Sequence, residues 1–431
     1  MVIPIDHLSI TQDTVFDPGV YYVPNGVSID ADGITLDGNG ALLIGNSRGG
    51  RGVTLLKREG VRLRNLRLQE YYHGIYARGC QGLEITGCRV TSTAEVPPNT
   101  IFLNIWLPAD EAYGGGIFLG EVEDSLVSEN DVQHQMNGLL TYGCRRLTVR
   151  SNVASYCSGF GFHLYQTSHS LYEENCADYC CRYEPRSERT GHLGADAAGF
   201  LIVYSSSHNI FRRNLARLGG DGFFLAGLSP KYERVPCNDN LFEENDGSYS
   251  PNIAFEATFS ARNIYRNNYA NHCNYGFWLG FSRDGILEDN QMVGNVQAGI
   301  ATENGFNFQV RRNLFRDNDH GILLWSKYIP GFLGAVPENS SSYDWTIEEN
   351  AFLHNNKAIR IAANQDHGIR PYPVPEGESP ETWYRPHDHR IRSNRFQDNR
   401  IAIESVHTDR LVQEANHFER SPQADRLELV E

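Results

Sequence analysis

No stretch of this sequence approaches the roughly 20 consecutive apolar residues of a membrane-spanning helix, so no membrane-embedded role is expected. Positive charge is in deficit as well. The chain has 38 Lys and Arg against 53 Asp and Glu, a formal net charge of −15. A nucleic-acid partner or an anionic membrane surface calls for a basic face, and this balance argues against both. It also weighs against a polyanionic substrate unless a bound cation or local basic subsites offset it. The opening residues, "MVIPIDHLSITQD", have neither the basic start nor the sustained apolar run of a signal peptide. A cytoplasmic location is therefore expected, although a secreted chain trimmed of its leader would read the same. The nine cysteines are odd in number and lack the short-range density of a disulfide scaffold, which points to a reduced chain.

Helical 3.6-residue apolar periodicity is missing too, and a different period takes its place. From about residue 74 a unit recurs: Gly, a short apolar run, a polar turn, then a strand ending in Asn. It reads "GLLTYGCRRLTVRSN" at 138–152, "GFHLYQTSHSLYEEN" at 161–175, "GFWLGFSRDGILEDN" at 276–290 and "GIATENGFNFQVRRN" at 299–313. Each runs 14 steps from Gly to Asn, and the repeat closes every 22–23 residues. Short strands at that period indicate a parallel β-solenoid, and the leucine-rich frame L-x-x-L-x-L-x-x-N is not present.

The recurrent Asn (130, 152, 175, 214, 245, 268, 290, 313, 350, 394 and 416) suits two tasks. Asn tolerates the left-handed backbone of a tight turn, and a stacked column of its amides can bond coil to coil. Cys157, Cys180 and Cys273 each lie five residues past such an Asn, a shared interior position where they read as small core residues.

On these repeats, and on the opening segment "GVYYVPNGVSIDADGITLDGNGALLIG" (19–45), the chain resembles the right-handed parallel β-helix superfamily, with its pectin-lyase-like and NosD-type members. The likeness covers roughly residues 15–420. It implies an all-β, single-stranded right-handed β-helix of about 12 coils in one domain. Residues 1–70 would form the cap and first coils, 71–417 the repeat coils and 418–431 a tail. The resemblance leaves the reaction open, since that superfamily holds polysaccharide lyases, glycosidases, epimerases, fructotransferases and non-catalytic fibres.

Counted from each Gly, strand alternation sends steps 1 and 3 into the tube and steps 2 and 4 outward. The outward set is not plainly polar: Tyr142, His163, Tyr165, Phe224, Glu256, Trp278, Glu303, Trp325 and Arg360 all fall in it. Such a face is covered by a ligand, a loop or a second subunit, and aromatic rings with a few carboxylates are what a sugar-binding groove requires. Insertions near 93–115, 177–198, 228–238, 326–344 and 363–389 flank the same strand column on both sides, as walls of a cleft would.

Glu256 and Glu303 are expected to share step 4, two rungs apart, with Gly280 between them leaving room for a sugar or a water. Two rungs are about 9.6 Å, nearer the wide carboxyl spacing of an inverting glycosidase than the narrow spacing of a retaining one. One carboxyl, its pKa raised by Trp278 and Trp325, would protonate the leaving oxygen, and the other would activate water. Asp221 and Asp196 are substitute partners for either Glu. Trp278, Trp325, His163, Tyr165, Tyr142, Phe224, Arg360 and Lys327 are the expected substrate contacts.

No cofactor is expected, with Ca2+ left open as the one ion the fold could take although no clear motif supports it. The pairs "DH" at 366–367 and "HDH" at 387–389 have no spacing that identifies a metal, and a calcium-dependent lyase motif is not visible. The expected partner is an oligo- or polysaccharide. A lyase, epimerase or fructotransferase using the same groove is the first alternative. A non-catalytic binding or structural β-helix, its aromatic column an assembly surface in a homo-oligomer, is the second.

Overall fold

The computed structural model describes residues 1–97, 100, 102–182, 197–363 and 385–422. Asp196 and the pair at 366–367 lie outside them. The described residues fall into two compact units, one reaching Asp221 and the other starting at Gly222. Among them, the only helices are a 3-10 turn at Ala109–Glu111 and a short α-helix at Pro330–Ala335.

In the first unit the longest parallel sheet runs through Arg51–Leu56, His73–Arg78, Gly115–Gly120, Asn137–Tyr142, Phe160–Tyr165 and Ala198–Val203. A second parallel sheet takes one short strand from each coil, including Glu84–Thr86, Leu126–Ser128, Thr148–Arg150, Leu171–Glu173 and Ile210–Arg212. A third, of four strands, is built from Val20–Tyr22, Leu42–Ile44, Arg67–Gln69 and Arg89–Thr91. The second unit repeats the plan. Its long sheet runs Ile253–Thr258, Tyr275–Trp278, Ala298–Glu303, His320–Ser326, Lys357–Ala363 and Ile401–Val406.

Rung-by-rung parallel pairing puts like residues on top of one another, and the interior is built from such stacks. Phe162 lies 4.6 Å from Phe200, and Phe223, Phe255 and Phe277 form a column with 4.9 Å between successive ring centroids. Each offset-stacked pair adds about 0.5–1.5 kcal/mol beyond the area it buries. The repeat glycine is there for room. A Cβ on Gly299 would come within 2.8 Å of the Gly321 carbonyl oxygen in the next coil.

The Asn column forms a hydrogen-bonded ladder in each unit. Asn130 donates its side-chain amide to Asn152 at 2.9 Å, Asn152 to Asn175 at 3.0 Å and Asn175 to Asn214 at 3.0 Å. In the second unit the ladder runs from Asn245 through Asn268, Asn290, Asn313, Asn350 and Asn394 to Asn416. The left-handed turn expected at these Asn residues sits one position earlier. Glu129, Ser151, Glu174, Arg213, Glu244, Asp289 and Arg312 carry φ between 53° and 59°, and the Asn that follows each is the bonded one. The corner points the preceding side chain outward and leaves the amide inside.

The coil around Glu256 departs from the expected register by two residues. Phe255 pairs with Phe277, and Glu256 pairs with Trp278. The repeat-glycine position in this coil is therefore Ala254, nine residues after Asn245, and not Asn252. Glu256 accordingly stands at step 2, and Ile253 lies across from Tyr275 rather than inside the tube.

Candidate functional site

In the second unit, register defines three neighbouring columns on the outward side of the long sheet. One runs Glu256, Trp278, Ala301, Leu323, Arg360, Glu404. Two residues further along the strands, another runs Glu303, Trp325, Ala362, Val406. On the other flank lie Tyr275, Ala298, His320 and Lys357. Small residues in the middle of the face let large rings fold over them. Trp325 and Leu323 pack with Ala298 and Ala301, and Tyr275 and Trp278 close against that cluster. The two indoles meet edge to face at 5.5 Å, and Tyr275 meets Trp278 at 5.0 Å.

Glu303 sits at the edge of these rings, only 5% exposed, and the Trp325 indole N–H donates to its carboxyl at 3.3 Å. Glu256 is half-buried beside Trp278. Because Glu256 is two rungs and two residues away from Glu303, their Cα atoms stand on the order of 12 Å apart, not the 9.6 Å of a shared column. Gly280 does not leave the expected opening for a sugar or a water. A Cβ there would lie 3.2 Å from the Trp278 indole nitrogen, so the glycine makes room for the indole itself.

Two walls border the face. Past the strand ends, Phe332 of the helix Pro330–Ala335 packs edge to face on Phe259 and Phe281, each at 5.0 Å, and Ile329 and Val336 join them. Glu338 ties the 326–344 and 228–238 insertions together by pairing with Arg234 at 2.7 Å, and it also reaches Arg283 at 3.4 Å. On the opposite side of the face, Glu404 is buried between two cations. Lys357 donates to it at 2.7 Å, and Arg360 pairs with the same carboxylate oxygen. Burial shifts both cations' pKa values downward, and the Glu404 carboxylate is a counter-charge that both reach. Sequence reasoning did not find Glu404, Lys357 or His320. Glu404 follows Ala402, another alanine at the repeat-glycine position.

A family profile described as the right-handed β-helix region matches residues 25–214, 99–251 and 233–328. The chain belongs to the right-handed β-helix family. No curated protein matches it. Solved structures similar to this β-helix protein include the A-module of a mannuronan C-5 epimerase from Azotobacter vinelandii. It is 15% identical over 93% of this chain and 90% of the other, with a TM-score of 0.45. A lacto-N-biosidase from Eubacterium ramulus is 12% identical over 81% of this chain and 63% of its own, TM-score 0.45. The catalytic unit of a thermostable alpha-1,3-glucanase from Streptomyces thermodiastaticus is 11% identical over 96% and 65%, TM-score 0.41.

The remaining expected contacts of this β-helix protein are engaged within their own units. In the first, Phe118, Tyr142, Tyr165 and Tyr204 stack in one column with centroids 4.5–5.4 Å apart. The Tyr142 hydroxyl lies 3.4 Å from His163 Nδ1. Burial holds His163 neutral, its pKa lowered to about 3. These rings present edges rather than an open sugar platform. Asp221 is buried, with its backbone N–H donated to Ala197 at 2.9 Å. Phe224 is buried on the outward side of Asp221–Ala226. Lys327 is buried too, and its backbone pairs with the Asn304 side chain through N–H at 2.7 Å and C=O at 2.6 Å. At the "HDH" segment, Asp388 bonds His387 at 2.8 Å and takes Arg410 at 2.6 Å, while His389 is buried.

Proposed function

We propose that this chain is a carbohydrate-active enzyme whose second unit binds an oligo- or polysaccharide on its outward face and cleaves a glycosidic bond there. The observation that carries this reading is the Glu303 carboxyl held by the Trp325 indole at the edge of the Trp278, Trp325 and Tyr275 rings. Rings give a sugar its apolar faces to lie on, and a carboxyl at their edge meets the oxygens of the bond between two sugars. Glu303, shielded from water, is the proton donor to the leaving oxygen. Glu256, half-buried and open to water, is the base that activates the incoming water. With Cα atoms on the order of 12 Å apart, the two side chains have to lean toward one another to bring the carboxyls into the range of about 6.5–9.5 Å of an inverting pair, and farther still for the roughly 5–5.5 Å of a retaining one. No cofactor is invoked.

Reducing-end release across a glycan panel tests this. Glu303→Gln and Glu256→Gln should each lower the rate by about 10²–10⁴-fold while the circular-dichroism spectrum stays that of the native chain. Full release by either variant rules out that residue's role. A second reading rests on Lys357 and Arg360, which Glu404 holds beside the rings. Such cations suit a sugar carboxylate, next to which a proton can be removed by a lyase or epimerase. An unsaturated, ultraviolet-absorbing product, or inversion at carbon without new ends, would favour it.

A further inference from the structure

A cleft of about 300 Å³ opens in the first unit, over the strand His73–Arg78, and none of its lining residues belongs to the face around Glu303. The segment after residue 102 forms its other wall. Two bonds strap that segment down: Tyr72 donates its hydroxyl to the Ala112 carbonyl at 2.8 Å, and Arg78 pairs with Asp110 at 2.6 Å.

Two groups in the cleft are incomplete. Arg51, from the preceding coil, lies with its guanidinium carbon 3.4 Å from the centroid of the Tyr76 ring. Among the described residues no carboxylate lies within ion-pair distance of Arg51, in a chain where most arginines have one. A guanidinium lying on a ring keeps its N–H edge for a planar anion. His73 lines the cleft, is 5% exposed, and its Nδ1 has no hydrogen-bond partner. Burial and the nearby Arg51 charge keep the ring neutral, with a pKa lowered to about 3. In the neutral tautomer that carries its proton on Nε2, Nδ1 is an acceptor with nothing bonded to it. An unmet buried acceptor is destabilising, and a hydroxyl donor from a ligand would relieve it.

We propose that this cleft binds a polyhydroxylated carboxylate of about one sugar residue's size, its carboxylate paired with Arg51 and one hydroxyl donated to His73 Nδ1. The volume sits at the small end of ligand sites, and one unpaired cation matches one negative charge rather than a polyphosphate. Tyr76, already covered by Arg51, sets the cation's height and does not serve as a stacking platform. The site shares no residue with the proposed glycosidic chemistry, so either can fail without the other.

Isothermal titration of the full chain with D-glucuronate, D-glucose and acetate is the test. Glucuronate should bind saturably, with glucose and acetate each at least about tenfold weaker, because each lacks one of the two recognised groups. Arg51→Gln, an exposed position whose loss does not threaten folding, should weaken glucuronate about tenfold or more and leave glucose unchanged. His73→Phe should weaken glucuronate and glucose alike. Glucose binding as tightly as glucuronate, an unaffected Arg51→Gln variant, or no saturable binding of glucuronate by the unmodified chain would each overturn the proposal.

Discussion

His163 shows what this fold does to a titratable side chain. Its ring is enclosed by Phe160 and Tyr142, Nε2 finds no partner, and the imidazole stays neutral down to a pKa of about 3. His73 and His389 are in the same condition, each with a pKa lowered to about 3 by burial. In the unfolded chain these rings take up a proton near pH 6.5. Their contribution to stability is therefore complete above pH 6.5 and is lost as pH falls from there toward 3, at about 1.4 kcal/mol per pH unit for each ring. Denaturant midpoints measured between pH 7 and 5, where carboxylates hardly titrate, should fall steadily. His163→Phe should reduce the slope, by about one proton of the three. A flat profile would mean that these rings are not enclosed. None of this was visible in sequence, where His163 had the look of an outward-facing contact. Whether an outward position is open depends on what the insertions do, and that is not written in the strand.

At the scale of the element, the Asn ladder ties coil to coil alongside the strand pairing. Asn290 accepts the backbone N–H of Asn268 at 2.9 Å and its side-chain amide at 3.0 Å, and donates to Asn313 and to the Tyr265 carbonyl. Asn290→Ala strands two buried donors on Asn268 and removes a donor from a buried carbonyl. A loss of roughly 2–5 kcal/mol is expected in urea denaturation, and Asn290→Ser should recover part of it. A change below about 0.5 kcal/mol would show that the amides do not carry the coils. This column was legible because its spacing is set by the coil length, and so was the apolar interior. Register in one coil was not, because Ala254 stands where the glycine that marks a new strand was expected. A single missing methyl-free position moved Glu256 two residues along its strand and widened its separation from Glu303.

For the whole molecule, the cysteines report on opening. Cys80, Cys88, Cys144, Cys157, Cys180, Cys237 and Cys273 are all buried thiols, and burial raises Cys88 and Cys144 to about 12. A thiolate is the reactive species, so these thiols should ignore a disulfide reagent in the native state and react together once coils separate. Cys181, which is exposed although its pKa is also raised, should label ahead of the buried thiols in the native chain. Fast labelling of several thiols in buffer would mean that coils part readily.

The ladder also has a direction. Each Asn gives its backbone N–H and one side-chain N–H forward, to the oxygen on the coil that follows it in sequence, takes two from the coil before, and returns its other side-chain N–H to a carbonyl of that earlier coil. A coil leaving the ribosome thus carries unmet amide donors until its successor arrives to cap them. Chain growth and ladder growth proceed the same way, each finished turn serving as the template on which the next one closes.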